Sequence, residues 1–439
     1  MRRSAAAAAL LVGTLVIAAG ALASGVHQTS PTKLSVWAYW SPGTHELTSF
    51  NKLVAEYQKN HPEVKISVVG GVDDNKIVAA IRSGTAPDVV SSGNSYNVAN
   101  YCRTGGWIDL APLMKKDHIS AGLFPKAPQY YTQYAGKRCA LPLLADDYGL
   151  YYNKTLFKKA GITHPPRTIS ELTADAKKLT VRNANGTLKV VGLDPVIGWY
   201  ENVPERWIQH FGGKFVNAQG HAILSKDPAW TAWGNWMKGL IDWYGYDKLV
   251  RFQTGAGDEF AASQAFENGK VAMNLDGEWR VAFIQAEHPT LDYGTAPSPV
   301  DDSQQGLYGS GYINGTIIGI PRGGKHTDQA WDLVKWLTTN THALAELSNG
   351  LRNVPSTSAS THSKELVPDA HFATFLKIFT NSKSSTSPIM ASGQSYTNLV
   401  QNFATKWQAG QVKDLVGGLK SLDKQLDAQV AQAKGGGAP

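Results

Sequence analysis

FENGKVAMNLDGEW, residues 266–279, decides the fold, because it combines a chain reversal, a short buried strand and the start of a helix. Gly269 is typical of a helix C-terminus, since glycine takes the left-handed conformation at little cost. The apolar residues at 271–275 predict a strand with no polar face, and an Asp-Gly pair then turns the chain into a helix that begins near Trp279. Ligands of open α/β sheets bind beyond the carboxyl ends of strands, so Trp279 is predicted to stand at a ligand site. The alternative that stays open is a tryptophan that only anchors the core.

The same alternation of strand and helix occurs on both sides of this stretch. The spacing of apolar residues predicts strands at 33–40, 64–70, 88–92, 140–153 and 315–324, and helices at 47–61, 73–82, 227–246, 327–339 and 412–434. A stripe of aromatic residues in the helix at 227–246 is interpreted as core packing. The alternation favours an α/β fold, with a mostly parallel sheet covered by helices.

The first 23 residues have the features of an export signal. Arg2 and Arg3 precede an apolar run from Ala5 to Ala23, which ends in a small-residue cleavage pattern. Ser24 follows where a lipoprotein would need cysteine, so a lipid anchor at this point is excluded. The run is almost long enough to span a bilayer, and an uncleaved anchor helix stays an alternative to cleavage. We expect an exported protein that is extracellular, at the cell surface or in a periplasm.

The composition indicates a globular protein, and 439 residues allow two or three domains. The formal charge of +7 comes from basic residues scattered singly among acids, so no nucleic-acid-binding face is predicted. In an oxidising compartment a disulfide between Cys102 and Cys139 is the leading interpretation, with two buried thiols as the alternative. Neither the cysteines nor the histidines have the spacing of a zinc site, and no metal or cofactor is predicted.

Four blocks in a fixed order resemble family 1 of the bacterial extracellular solute-binding proteins, the sugar-binding components of ABC importers, of the maltose-binding-protein type. The blocks are IRSGTAPDVVSSGN (81–94), ALPLLADDYGLYYNKTLFKKAGI (140–162), FENGKVAMNLDGEW (266–279) and GSGYINGTIIGIPRGGKHTDQAWDLVKWL (309–337). A Pro-containing segment, LRNVPSTSAS (351–360), matches the one that follows in the family. Each block alone is common in composition, but four in register span nearly the whole chain after the signal.

The resemblance implies an α/β, two-lobed periplasmic-binding-protein-like fold of type II, with hinged lobes, central and mostly parallel sheets, and a ligand cleft between the lobes. Lobe one would comprise residues 33–141 plus 299–339, lobe two residues 142–298 plus 340–434, and residues 435–439 would be a disordered tail. The resemblance also implies a protein without enzymatic activity that captures a saccharide and delivers it to ABC permease subunits. We expect it to be a monomer.

A sugar presents apolar ring faces and hydroxyl edges, so its site needs flat aromatic rings and fixed polar groups. The resemblance points to nine candidate ligand-binding residues, which are Trp40, Asn94, Ser95, Asp146, Asp147, Tyr148, Trp279, Tyr312 and Arg352. Two of these have plain structural alternatives, because Trp40 can pack under the first helix and Asn94 can serve as a turn residue. Asp88, at a strand start after a proline, is expected to bind backbone instead.

Three further alternatives stay open at this stage. Residues 146–147 are adjacent carboxylates of the kind found in glycoside hydrolases, although neighbours on a strand face opposite sides and the second acid would have to be Asp276 or Glu278. A surface protein that binds carbohydrate without transport is the second alternative. The third concerns the ligand. The abundance of aromatic residues predicts an oligosaccharide, and an anionic polyol is the alternative, because Arg206 and Arg352 are candidates to bind its charge.

Overall fold

The computed structural model describes residues 30–435. The predicted export signal at 1–23 and the predicted tail, apart from Gly435, lie outside this range. Within it, no helix is both long enough and apolar enough to cross a membrane.

Strands and helices alternate along most of the described chain. The strands are β1 (Thr32–Trp37), β2 (Val64–Val69), β3 (Val89–Ser92), β4 (Leu141–Asn153), β5 (Val181–Arg182), β6 (Leu188–Leu193), β7 (Val271–Gly277), β8 (Tyr293–Pro297), β9 (Ile313–Gly319) and β10 (Val354–Pro355). The α-helices are α1 (His45–Asn60), α2 (Asp74–Ser83), α3 (Val98–Thr104), α4 (Ala111–Lys116), α5 (Lys126–Tyr131), α6 (Lys154–Lys159), α7 (Ile169–Leu179), α8 (Pro204–Trp207), α9 (Pro228–Tyr244), α10 (Tyr246–Gln253), α11 (Arg280–Glu287), α12 (Thr327–Thr339), α13 (Thr341–Leu351), α14 (Phe372–Thr380), α15 (Gln394–Gln408) and α16 (Leu415–Gly435). Each strand and helix predicted from apolar spacing therefore has a counterpart.

Side-chain caps explain where several helices begin. Asp73 precedes α2, and its carboxylate accepts a hydrogen bond from the backbone nitrogen of Lys76 at 2.8 Å. Thr168 caps α7 by accepting from the backbone of Glu171, whose carboxylate accepts in turn from the backbone of Arg167. Backbone N–H groups that a helix cannot satisfy internally thus find partners in the preceding residues.

The strands form one mixed sheet in the order β2-β1-β3-β9-β4-β7-β6-β5, and β8 and β10 pair with β4 beside this path. The parallel pairs are β1 with β2, β1 with β3, and β6 with β7. All the pairs that β4 makes are antiparallel. The first three pairs are parallel as predicted, whereas β9 returns to the sheet in the opposite direction between β3 and β4, and the edge strand β5 is antiparallel to β6.

The long strand β4 joins the two halves of this sheet. Its first half, from Leu141 to Asp147, pairs with β9, and its second half, from Tyr148 to Asn153, pairs with β7 and β8. The chain changes partners between Asp147 and Tyr148. This is the segment at which the resemblance predicts a crossover between lobes.

Residues 30–435 form two hydrophobic clusters in the interior. The smaller one packs α1, α12 and α13 against β1 and includes Phe50, Trp331 and Leu347. The larger one includes Trp230 and Trp233 of α9, so the aromatic stripe of this helix is core, as predicted. The division into lobes stays a prediction, and α13, which the predicted boundaries assign to lobe two, packs against α1.

The stretch at 266–279 forms β7 and leads into α11. Every residue of β7 is buried, which explains why the strand has no polar face. Gly269 has the predicted positive φ, at 68°. It does not end a helix, however, because the chain before it forms turns, closed by hydrogen bonds from Gly269 to Phe266 and from Lys270 to Ala265.

Cys102 and Cys139 form a disulfide, and their Cα atoms lie 5.4 Å apart. Both residues are buried. The bond ties α3 to the segment that enters β4, so it fixes the approach of the chain to the strand shared by both halves of the sheet.

Candidate functional site

Asp146, Asp147 and Tyr148 lie in the middle of β4, where the strand changes partners. Asp146 is opposite Asn314 of β9, and Tyr148 is opposite Gly277 of β7. A polar segment thus stands where the two halves of the sheet meet. Side chains at this point can contact groups from both halves.

Asp146 is the carboxylate around which the polar groups gather. Its Oδ1 accepts a hydrogen bond from Nδ2 of Asn353 at 2.7 Å. Burial raises the pKa of Asp146 to about 7, while the Asn353 hydrogen bond and the charge of Arg206 act in the opposite direction. The side chain is nevertheless partly exposed. Asp146 is therefore a hydrogen-bonding group that a bound molecule can reach.

Asp147 is fully buried, in contrast to its neighbour. Neither of its carboxylate oxygens has a hydrogen-bond partner in the described part of the chain. Burial, followed by the charge of Asp146, raises the pKa of Asp147 well above its usual range. Adjacent residues of a strand point to opposite faces. The structure therefore does not present Asp147 together with Asp146, and Asp147 as a ligand residue stays a prediction without geometric support.

Glu278 and Asn353 complete the polar group around Asp146. Asn353 donates a second hydrogen bond, at 2.7 Å, to Oε1 of Glu278. The other carboxylate oxygen of Glu278 accepts from the backbone nitrogen of Asp147 at 2.8 Å. Burial, then the charges of Asp146 and Asp147, raises the pKa of Glu278 well above its usual range. One amide thus holds in place two carboxyl groups from different segments of the chain.

Aromatic rings surround this polar group. The ring of Tyr148 meets Trp279 edge-on, with centroids 5.6 Å apart, and lies 5.7 Å from the ring of Tyr312. The guanidinium of Arg206 lies 4.1 Å from the Tyr148 centroid, and its Nη2 donates to the Tyr148 hydroxyl at 3.1 Å. Because Arg206 already covers one face of Tyr148, Trp279 is the better candidate for a sugar-stacking ring.

Trp279 is half-buried and directly precedes α11. Its ring lies against Gly277, where an added Cβ would come within 2.2 Å of the indole. Glycine is needed there for the ring to approach the backbone. The indole Nε1 has no hydrogen-bond partner among residues 30–435. Trp279 therefore offers both a partly open ring and an unpaired donor, as its predicted ligand role requires.

Asn94 and Ser95 approach the site from the end of β3. The hydroxyl of Ser95 donates to Oδ1 of Asn314, the residue opposite Asp146. Asn94 donates at 2.6 Å to Oε1 of Gln394 at the start of α15, while its own Oδ1 has no partner in the described range. Its φ of −121° is not left-handed, so the turn-residue alternative does not explain it.

Trp40 and Arg352 lie apart from the polar group. Trp40 is 6% exposed and packs its ring against Phe50 of α1 with centroids 5.3 Å apart, which is the core alternative stated for it. Arg352 ends α13 at a φ of 60° and turns its guanidinium to the carbonyl of Val367, at 3.0 Å, and towards the ring of Phe372. The reversal at Arg352 directs its side chain to α14 and leaves the next residue, Asn353, to bind Asp146.

Three tyrosines of the site were not predicted. Tyr39 bonds Thr316 through its hydroxyl at 3.0 Å, and the hydroxyls of Tyr96 and Tyr312 are hydrogen-bonded to each other. Burial, and to a smaller extent the charge of Asp146, raises the pKa of Tyr131 well above its usual range. The Tyr131 hydroxyl has no hydrogen-bond partner in the described part of the chain. Tyr39 and Tyr96 each lie within two positions of a predicted residue, which is the signal that could have found them.

Asp88 behaves as predicted and stays outside the site. Its Oδ2 accepts from the backbone nitrogen of Ser35 at 2.8 Å and from the Ser35 hydroxyl at 3.0 Å. Its Oδ1 accepts from the backbone of Lys325 at 3.0 Å. This carboxylate ties β1 to the loop before α12.

A cavity of about 350 Å³ is lined in part by Tyr312 and Glu205. Its volume lies within the range typical of small-molecule pockets. Of the residues at 30–435, only Glu267, Glu287 and His288 form a group with metal-ligand spacing. Glu267 is already paired with Arg280 at 3.2 Å.

The chain is similar in sequence to known proteins. A family model described as bacterial extracellular solute-binding protein matches residues 52–374. The chain is 23% identical over 344 residues to the maltotriose-binding protein of Pyrococcus abyssi, covering 77% of this chain and 69% of that protein. It is 24% identical over 353 residues to the mannitol-binding protein of Pseudomonas aeruginosa, covering 75% of each.

A solved structure described as "CpMnBP1 with Mannotriose Bound" is similar with a TM-score of 0.80 and 26% identity, over 90% of this chain and 100% of that chain. The likeness confirms the predicted fold class, an α/β fold of the two-lobed, type II kind. The matching family and the named relatives are binding proteins rather than enzymes.

Proposed function

Because the chain belongs to the bacterial extracellular solute-binding proteins, we propose that it captures a sugar, by preference an oligosaccharide, and delivers it to the permease of an ABC importer. The observation that carries this proposal is the set of unpaired polar atoms beside aromatic rings. Nε1 of Trp279, the hydroxyl of Tyr131 and Oδ1 of Asn94 have no hydrogen-bond partner in the described range. Buried polar groups are normally paired, so we take these three atoms, which lie beside the aromatic rings of the site, as those that a sugar would pair.

The site matches the chemistry of a sugar. Trp279 offers a flat ring for the apolar face of a pyranose, and Asp146 offers a carboxylate that accepts hydrogen bonds from hydroxyls. The cavity of about 350 Å³ beside Tyr312 has the volume to hold a sugar unit, and an oligosaccharide that contacts Tyr312 would use it. The maltotriose-binding and mannotriose-bound relatives support the preference for an oligosaccharide. The mannitol-binding relative is the reason to test smaller polyols as well.

A neutral ligand is favoured over an anionic one. Arg206 forms an ion pair with the Glu201 carboxylate and donates to the Glu201 carbonyl at 2.7 Å. Arg352 is directed to the Val367 carbonyl. Neither guanidinium is thus left to face a phosphate or carboxylate at the site. This weakens the alternative of an anionic polyol.

Closure of two lobes over the sugar is part of the proposal. Asn94 and Gln394 are 300 positions apart and are joined at 2.6 Å across the site. Asn97 accepts a further hydrogen bond from the Gln394 backbone at 3.4 Å. A sugar that contacts groups on both sides selects the state in which these links form. We keep a monomer without nucleic-acid affinity as the prediction for its assembly.

A ligand screen tests the proposal. Purified protein is heated with mono-, di- and trisaccharides, polyols and glycerol phosphate, and each hit is titrated by calorimetry. A binding protein shows a ligand-dependent rise in melting temperature with 1:1 stoichiometry, and chromatography recovers the sugar unchanged. Release of reducing ends would establish the hydrolase alternative instead. If no member of the panel shifts the melting temperature, the proposal of sugar capture fails.

A further inference from the structure

A second cavity, of about 580 Å³, lies on the part of the molecule formed by α2 and α3. The lining residues are Val78, Ile81, Arg82, Asn100, Tyr101, Arg103, Thr104, Gly106 and Arg322. None of them belongs to the site around Asp146. Three of the nine are arginines and none is acidic, so the cavity concentrates positive charge.

Two of these arginines have no acidic partner. Neither Arg82 nor Arg322 forms an ion pair with any residue in the range 30–435. Both are exposed. Asp74 reaches the lining through the Tyr101 hydroxyl, which donates to it at 2.8 Å, and it also accepts from the Asn97 amide at 2.7 Å. The charges of Arg82 and Arg322 are therefore not neutralised by an ion pair within residues 30–435.

We propose that this cavity binds a small, multiply charged anion of the phosphate-ester or polycarboxylate class. Guanidinium groups present several N–H donors in a planar fork that matches two oxygens of a phosphate or carboxylate at once. Arg82 and Arg322 line the same cavity without an ion-pair partner in the described range, so both attract an anion that enters it. A multiply charged anion is attracted more strongly than a single carboxylate.

The remaining walls indicate an organic portion on the anion. Val78 and Ile81 of α2 supply apolar surface. A cavity of about 580 Å³ is larger than inorganic phosphate requires. Asn100 and Thr104 add neutral hydrogen-bonding groups beside the arginines. The cavity therefore suits a charged group attached to an uncharged body.

The test uses the full-length exported protein, with inorganic pyrophosphate and citrate as probes at constant ionic strength. Calorimetry should show saturable 1:1 binding of at least one probe. The double variant Arg82→Gln/Arg322→Gln should bind it at least about tenfold more weakly, because two charge-assisted contacts are lost. Arg167→Gln, which removes an exposed arginine outside the cavity, should bind as the unmodified protein does.

Two outcomes would overturn the proposal: no saturable binding of either probe, or equal affinity in the double variant. The unliganded melting temperature checks folding, and the single variants replace the double one if it is unstable. Vesicles of phosphatidylcholine with phosphatidylglycerol identify the source of the anion. Sedimentation that depends on Arg82 and Arg322 and is reversed by pyrophosphate assigns a lipid headgroup, and binding of the free probes alone assigns a soluble anion.

Discussion

Nδ2 of Asn353 donates to Oδ1 of Asp146 across 2.7 Å, although the two residues are 207 positions apart in the chain. The same nitrogen donates to Glu278 at 2.7 Å. Asn353 stands just before β10, Asp146 lies in β4 and Glu278 follows β7. One side chain therefore links three segments at the candidate site, and its loss should lower both the stability of the protein and its affinity for sugar.

Asn353→Leu should lower the free energy of unfolding by about 1–3 kcal/mol, because two carboxyl groups lose a shared donor. It should also weaken sugar binding, since Asp146 is no longer held in place. Urea unfolding and calorimetry measure the two effects. Arg352→Gln is the matched control: its side chain is directed to Val367, so sugar affinity should stay unchanged. An equal loss of affinity in both variants would contradict a positioning role for Asn353.

Trp279→Ala should weaken sugar binding by ~0.5–1.5 kcal/mol or more, the value of a lost stacking partner, and leave the protein folded. Titration calorimetry measures the affinity, and the melting temperature without ligand measures the stability, so together they distinguish a sugar-stacking role from a core-packing role. If the variant fails to fold, Trp279 is a core residue and its ligand role is unsupported.

Gly277→Ala tests the role of the Trp279 ring without changing Trp279 itself. Its Cβ would lie within 2.2 Å of the indole and must displace it. Sugar binding should therefore fall in Gly277→Ala, but the double variant with Trp279→Ala should bind no more weakly than Trp279→Ala alone. Additive losses would show that Gly277 acts by another route.

Much of the fold follows from local patterns in the sequence. The apolar spacing of α12 and the buried run of β7 each depend on a few consecutive residues, and the cap of α2, Asp73, directly precedes the helix. The antiparallel course of β9 beside β4 depends on a return of the chain across about 160 residues, which no local pattern encodes.

The site was harder to predict for the same reason. Asp146 and Trp279 could be found from their motifs, but Asn353 acquires its role only from Asp146 and Glu278, which come from distant segments. Arg352, its neighbour, carries the more conspicuous side chain, yet a positive φ turns that side chain away. Position in a motif therefore indicates the segment that reaches the site, and the backbone conformation decides which residue does.

The Cys102–Cys139 disulfide closes a loop of 37 residues. Linking residues at this separation restricts the unfolded chain, which corresponds to roughly 3–4 kcal/mol in the chain-entropy account. Cys102→Ser/Cys139→Ser should lower the free energy of unfolding by about that amount in urea. Reductant should destabilise the unmodified protein and have no effect on the double variant. Equal stability of the two proteins would mean that the bond does not constrain the unfolded state.

The pH dependence of the free energy of unfolding should include a contribution from Asp194 that can be measured apart from those of the other carboxyls. Burial raises the pKa of this carboxyl from 3.8 to about 7, although Gln253 and the backbone of Val196 donate hydrogen bonds to it. Between these two values the folded protein holds a proton that the unfolded chain releases. The free energy of unfolding therefore falls as pH rises from about 4 to 7 and levels off above, by up to roughly 4 kcal/mol from this group.

Asp194→Asn should remove that contribution, because an amide does not titrate and Gln253 can turn its carbonyl oxygen to the new amide. The difference in unfolding free energy between the unmodified protein and Asp194→Asn should thus be most favourable to the unmodified protein near pH 4 and shrink, or change sign, by pH 8. Urea unfolding at intervals across this range measures it, and the other carboxyls cancel in the comparison. A constant difference for Asp194→Asn would show that the pKa of Asp194 is the same in the folded and unfolded protein, and that the hydrogen bonds from Gln253 and Val196 offset its burial.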